Sequence, residues 1–192
     1  MPARMLASVD LIVIHCSASP NGRWNTAEDI DAWHRDRGFS RDMLIAPMHE
    51  PRLKHIGYHF VIGTNGALWN GRSVVEAGAH AAGHNQRSLG ICLIGTDQFS
   101  ATQWQMLRVN VCAMVALLAR ARRDVEAPRG TPDPEQARAM AARLGILMVG
   151  HRDLPAVKKT CPGFSVADWL AAGMQPLPDH VPDHVLEKRD EP

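Results

Sequence analysis

The sequence predicts an α/β fold, a single domain in which helices cover a central mixed β-sheet. Three observations carry that expectation. Short apolar runs rich in β-branched residues alternate with stretches of helical period. An Asn-Gly turn joins two strand-like runs into a hairpin, and 192 residues suffice for one core of ordinary size while cramping a second domain.

The elements follow in order. Leu11 to His15 ("LIVIH") reads as a buried strand, and the turn chemistry of "CSASPNGRWN" comes after it. Thr26 caps a helix in "TAEDIDAWHRDRG", with Glu28 and Asp29 suited to its first turn and Gly38 to its end. From Phe39 to Lys54, Pro47 and Pro51 interrupt any period, and a surface loop is expected. Tyr58 to Ile62 and Ala67 to Gly71 are strands joined by a turn over Thr64 to Gly66, and Ser88 to Gly95 is a further apolar strand. Ser100 caps a long helix in which Trp104, Leu107, Val111, Val115 and Leu118 recur at helical spacing. A proline-containing loop leads to a helix from about Pro134 that closes at Gly145. Ile146 to Val149 is the last strand and Ser165 to Ala172 a short last helix. The domain is expected over residues 9–172. Residues 173–192, rich in Pro, Asp and His without an apolar period, are expected to form a poorly ordered tail.

Composition narrows the function classes. Hydrophobic residues make up 45% and charged residues 21%, the balance of a soluble globular chain. With 21 basic and 20 acidic side chains, no global field attracts nucleic acid or an anionic membrane. The N-terminal run lacks the apolar stretch of a secretory signal, and no segment approaches the roughly 20 apolar residues needed to cross a bilayer, so a cytoplasmic chain without membrane insertion is expected. The four cysteines, Cys16, Cys92, Cys112 and Cys161, show no tight or regular spacing, which argues against disulfides. Cys92 and Cys112 stand in apolar contexts that suit inert packing.

The chemistry gathers at strand ends. A hydrolytic zinc site needs three His, Cys or carboxylate ligands and an open position for water. His15 ends one strand, His151 follows another, and Cys161 stands after a loop just before Pro162. A cysteine nucleophile with His151 or His15 as its base is the competing chemistry, with Lys158 and Lys159 placed to lower a thiol pKa. Two histidines and a cysteine fill a three-ligand zinc site, whereas the thiol mechanism leaves one histidine without a task; both readings stand on pattern alone. A zinc finger does not fit, because no Cys-x-x-Cys pair exists. His59 alternates with Tyr58 along a strand, so it is expected to face the opposite side in a structural role. Trp69 is expected in the core, and Arg72 and Arg87 as surface charges that could instead hold substrate carboxylates.

Four segments in one order, "IVIHCSAS", "GYHFVIGTNGALWNGR", "AGAHAAGHNQRSLGICLIG" and "GHRDLPAVKKTCPGF", resemble the zinc-dependent N-acetylmuramoyl-L-alanine amidases. The likeness runs from about Leu11 to Leu170 and is to the phage lysozyme-amidase branch, which shares its fold with peptidoglycan recognition proteins. It implies that His15, His151 and Cys161 bind Zn²⁺, that Tyr58 and Lys159 are catalytic, and that His80 lies by the substrate groove. The ten-residue spacing from His151 to Cys161 exceeds the eight of close relatives, which implies a differently shaped loop around Lys159. The implied reaction is hydrolysis of the amide between N-acetylmuramic acid and L-alanine, in peptidoglycan or muropeptides, by a phage or prophage endolysin. Such a protein is expected to be a monomer with no nucleic-acid partner, made in the cytoplasm and acting on the cell wall after release. The alternatives are a cytoplasmic muropeptide-recycling amidase, whose members typically carry a carboxylate where Cys161 stands, and a non-catalytic peptidoglycan-binding module, which is expected to lack a ligand.

Overall fold

The computed structural model describes residues 3–41, 44 and 48–182. Five strands form one mixed sheet in the order β3-β2-β4-β1-β5: β1 (Leu11–Cys16), β2 (Phe60–Ile62), β3 (Leu68–Asn70), β4 (Ser88–Leu93) and β5 (Leu147–Gly150). β1 runs parallel to β4 and β5, β2 runs parallel to β4, and β3 closes one edge as the antiparallel arm of the hairpin. This is the expected α/β architecture.

The helices start where capping chemistry dictates. In α1 (Ala27–Asp36), α2 (Ala101–Ala121) and α3 (Pro134–Leu144), the residues Thr26, Ser100 and Asp133 accept from the third helical N–H, and Asp29, Gln103 and Gln136 reach back. Each box satisfies two backbone donors that a helix start otherwise leaves open. α4 (Val166–Ala171) is capped by Ser165.

The two sheet faces are covered unequally. Ile12, Ile14, Leu89, Ile91 and Leu93 pack against the apolar side of α2, with Trp104, Leu107, Val111, Val115 and Leu118 fully buried, and against α3 and α4. Burial of each such side chain is worth about 1.5–3 kcal/mol, so this face holds the main core. On the other face Val61, Cys92 and Ile94 meet α1 and Ile56, while Leu11 and Val13 join a smaller cluster with Ala81, Leu154, Val149 and Val157. His15 projects from this second, more thinly covered face, since it shares the alternation of Leu11 and Val13.

Three expectations are corrected by the packing. The segment after α1 is irregular as expected, yet more than surface: Arg41 is 4% exposed and donates to the carbonyls of His49, Glu50 and Leu53 and to the Glu76 carboxylate. Residues 42, 43 and 45–47 of that segment lie outside the described residues. Residues 173–182 pack on the body rather than forming a loose tail, because Met174 is buried, the Phe99 N–H donates to the His180 carbonyl and His180 Nδ1 donates to the Asp97 carbonyl. Residues 183–192 lie outside the described residues. Finally, Arg72 is buried and donates to the carbonyls of Ile56, Ala77 and Ser40, so it has nothing left for a substrate. Arg87 stays at the surface, paired with Asp10. Trp69 sits half-buried in β3, edge-on to the exposed Trp24 at 6.2 Å between ring centroids.

Candidate metal centre

Strand register assembles the site. In the β1–β5 ladder Ile14 pairs with Gly150, so the next position along both strands brings His15 beside His151, and their ring centroids are 4.6 Å apart. His151 opens a single 3-10 turn, and the chain returns to the same strand end at Cys161, where the Arg152 N–H donates to the Cys161 carbonyl at 2.8 Å. The Cys16 N–H donates to Cys161 Sγ at 3.2 Å, and that sulfur lies 3.7 Å from His15 Nδ1.

One ligand atom from each of His15, His151 and Cys161 lies within 4.8 Å of the other two. Tetrahedral zinc, with Zn–N near 2.0–2.1 Å and Zn–S near 2.3 Å, asks for ligand separations of roughly 3.3–3.6 Å. The 3.7 Å from Sγ to Nδ1 is just above this range, and the widest gap needs to close by roughly 1–1.5 Å at most. Two imidazoles and one thiol are also the borderline-soft donors that zinc prefers. The residues therefore fit the metal.

The electrostatics suit ligation. His15 is held well below the ordinary histidine pKa by burial, then by the charges of His151, Lys159 and His34. His151 is lowered by burial and by Lys159. Both rings are thus neutral at neutral pH and keep a lone pair for a metal. The Cys161 thiol is pushed up by its hydrogen bond with the Cys16 side chain and by burial, so metal capture must release its proton. This counts against the free thiolate that the cysteine-nucleophile reading requires.

The other expected residues surround the three donors. Tyr58 packs against His15 with centroids 5.1 Å apart, and burial first, then the neighbouring cysteines, hold its phenol well above the ordinary range. It keeps its proton at neutral pH. Lys159 is exposed in the loop between His151 and Cys161, near enough for its charge to act on both histidines. That loop contains a turn in which Leu154 and Val157 pack on Leu11 and Val13 and Ala156 adopts φ +64°. His80 meets His15 directly, Nδ1 to Nε2, at 3.0 Å.

His59 differs from its expected orientation. It is fully buried, accepts the Gly90 N–H on Nδ1 and lies 3.0 Å from the Glu76 carbonyl through Nε2, a structural role as expected. Yet its ring and that of Tyr58 both flank His80, at 5.7 and 6.2 Å. Strand alternation does not separate them because β2 begins only at Phe60. Sequence reasoning passed over three neighbours: Cys16, which holds Cys161; His34, which packs against Tyr58 at 5.2 Å; and Ser88, which lies behind His80. Only Cys16, next to His15, had a local signal.

A sequence-family model described as N-acetylmuramoyl-L-alanine amidase matches residues 5–164. The endolysin of Escherichia phage T7 is 30% identical over 170 residues, covering 84% of this chain and 85% of the relative. The endolysin of Enterobacteria phage T3 is 30% identical over 171 residues, covering 85% and 86%. Among solved structures, the N-acetylmuramoyl-L-alanine amidase LysC from Clostridium intestinale URNW shares the fold, with a TM-score of 0.55 at 22% identity over 90% of this chain and 89% of that one.

Proposed function

The chain belongs to the N-acetylmuramoyl-L-alanine amidase family and is a peptidoglycan amidase, and we propose that it works as a phage-type endolysin through zinc held by His15, His151 and Cys161. The convergence of these three donors at the ends of β1 and β5 is the observation that carries the reading. The catalytic unit is read as residues 9–172, with residues 173–182 packed against it. It acts as a monomer on the wall after release from the cytoplasm, a reading that the likeness to phage endolysins supports. Its net charge of +1 favours no nucleic-acid partner.

The bond broken joins the lactyl carbonyl of N-acetylmuramic acid to the amine of L-alanine. Zinc bound by two neutral imidazoles and one thiolate supplies a Lewis acid of net charge +1 and a water acidified toward a pKa of ~7. Tyr58, protonated at the edge of His15, donates a hydrogen bond that orients the attacking water or the carbonyl. Lys159 brings a positive charge to the developing oxyanion. Water oxygen bonds to the carbonyl carbon, the C–N bond breaks, and the proton given up by the water goes to the departing amine of L-alanine.

The test pairs metal content with the release of new L-alanine amine termini from purified peptidoglycan, for the parent and Cys161→Ser. The parent is expected to hold one zinc and to lose activity with a chelator, which a cysteine nucleophile survives. The variant is expected to lose both zinc and activity. A parent that frees amine termini without metal sinks the zinc reading, and an active Cys161→Ser removes that residue from the site.

A further inference from the structure

We propose that His80 is a positioning residue that sets the tautomer and orientation of His15, as the middle of a directed hydrogen-bond chain anchored on the His84 carbonyl. The inference rests on the zinc reading above and reassigns His80 from substrate contact to ligand support.

The chain can be read from its fixed end. The His84 carbonyl can only accept, so the Ser88 hydroxyl, 2.8 Å away, donates to it. With its hydrogen committed there, Ser88 Oγ can only accept from His80 Nε2, at 3.4 Å. His80 then carries its proton on Nε2 and presents a bare Nδ1. That atom lies 3.0 Å from His15 Nε2, which must donate. A neutral His15 protonated on Nε2 leaves Nδ1 bare, and Nδ1 is the atom that faces Cys161 Sγ at 3.7 Å. A backbone carbonyl thus dictates which nitrogen of His15 is free for a metal. Such a fixed acceptor behind a ligating histidine raises its basicity and holds its ring plane.

His80 is held firmly enough for the task. Its own N–H and that of Ala81 both donate to Asn85 Oδ1 at 2.9 Å. Its ring lies directly on Gly90, where a Cβ would come within 2.6 Å of it, so only glycine admits the ring there. His59 and Tyr58 close its two sides. Both ring nitrogens are engaged, which leaves none for a substrate. A neutral imidazole rather than a carboxylate as the acceptor also leaves the net +1 of the loaded centre intact, and that charge favours an oxyanion.

The test is zinc affinity, measured by competition with a chromophoric chelator, for the parent, His80→Leu, His80→Asn and Ser88→Ala. His80→Leu removes the acceptor and is expected to weaken zinc binding about 10- to 100-fold. His80→Asn, whose Oδ1 stands near the place of Nδ1, is expected to recover most of that loss, and the visible spectrum of the Co²⁺-loaded protein should shift in His80→Leu and return in His80→Asn. Equal affinity of parent and His80→Leu overturns the proposal, as does a His80→Asn as weak as His80→Leu. Should His80→Leu fail to fold, Ser88→Ala decides: weaker zinc binding at an unchanged metal-free unfolding midpoint supports the chain, and unchanged binding overturns it. A parent that takes up no zinc removes the zinc reading as well, so the two failures are distinguishable.

Discussion

Among single residues, Glu76 carries more of the fold than its sequence context suggests. Its carboxylate is 2.9 Å from the Arg41 guanidinium and 3.4 Å from that of Arg72, and all three side chains are almost fully buried. Arg72 also donates to the Ile56 carbonyl, and its N–H bonds the Tyr58 carbonyl, so the cluster holds the backbone on both sides of Tyr58. Removing the one anion strands two buried guanidinium groups, an uncompensated charge of the kind that costs about 3–5 kcal/mol. Glu76→Gln is therefore expected to lower stability by about that much in urea unfolding; a loss below about 1 kcal/mol would show that the arginines are satisfied by carbonyls alone. None of this was legible beforehand, because an arginine between a loop and a helix looks the same in sequence whether it is solvated or buried.

At the level of elements, the hairpin and α2 are built against each other. Ser100 Oγ, the α2 cap, also donates to the Thr64 carbonyl in the hairpin turn, and Gly66 at φ +81° lies over the first turn of the helix. A Cβ at Gly66 would stand 2.8 Å from Thr102 Cβ and 3.0 Å from its carbonyl oxygen. Gly66→Ala combines a left-handed backbone with overpacking and is expected to cost about 2–4 kcal/mol in thermal or urea unfolding. A near-neutral effect would mean that the turn moves off the helix freely. The turn itself was readable from Asn-Gly and the helix start from Ser-x-x-Gln, since both are local signals. Their contact was not, because it joins residues 36 apart.

Across the whole molecule, buried histidines link the fold to pH. Burial lowers His59 to about 3, with the Arg4 charge adding to the effect, and His34 to about 4. His15 and His80 are lowered as well. The sign follows from proton uptake: above the ordinary pKa of ~6.5 both states are neutral, and below it the unfolded chain binds protons that the fold refuses. Stability of the metal-free protein should thus be full above pH 6.5 and fall as pH drops toward the folded values. His59 alone accounts for about 2 kcal/mol of loss at pH 5. The urea midpoint is expected to be clearly lower at pH 5 than at pH 7, and a midpoint indifferent to pH would mean that these rings accept protons in place. Among the described residues no helix is long and apolar enough to cross a membrane.

Local patterning by itself determined the element types and the capped helix starts and put His15 and His151 at strand ends, because periodicity, caps and short motifs act within a few residues, whereas Tyr58 and Lys159 were singled out through the family resemblance. Boundaries moved by one or two residues, as at β2, where Tyr58 precedes the strand. Only the tertiary structure decided the register that sets Ile14 against Gly150 and so His15 beside His151. It also decided that His80 turns one nitrogen to His15 and the other to Ser88, and that Arg41 and Arg72 are buried around Glu76. The reason is common to all three: ladder register and the pairing of buried polar atoms are settled between residues far apart in the chain, where no local pattern records the partner.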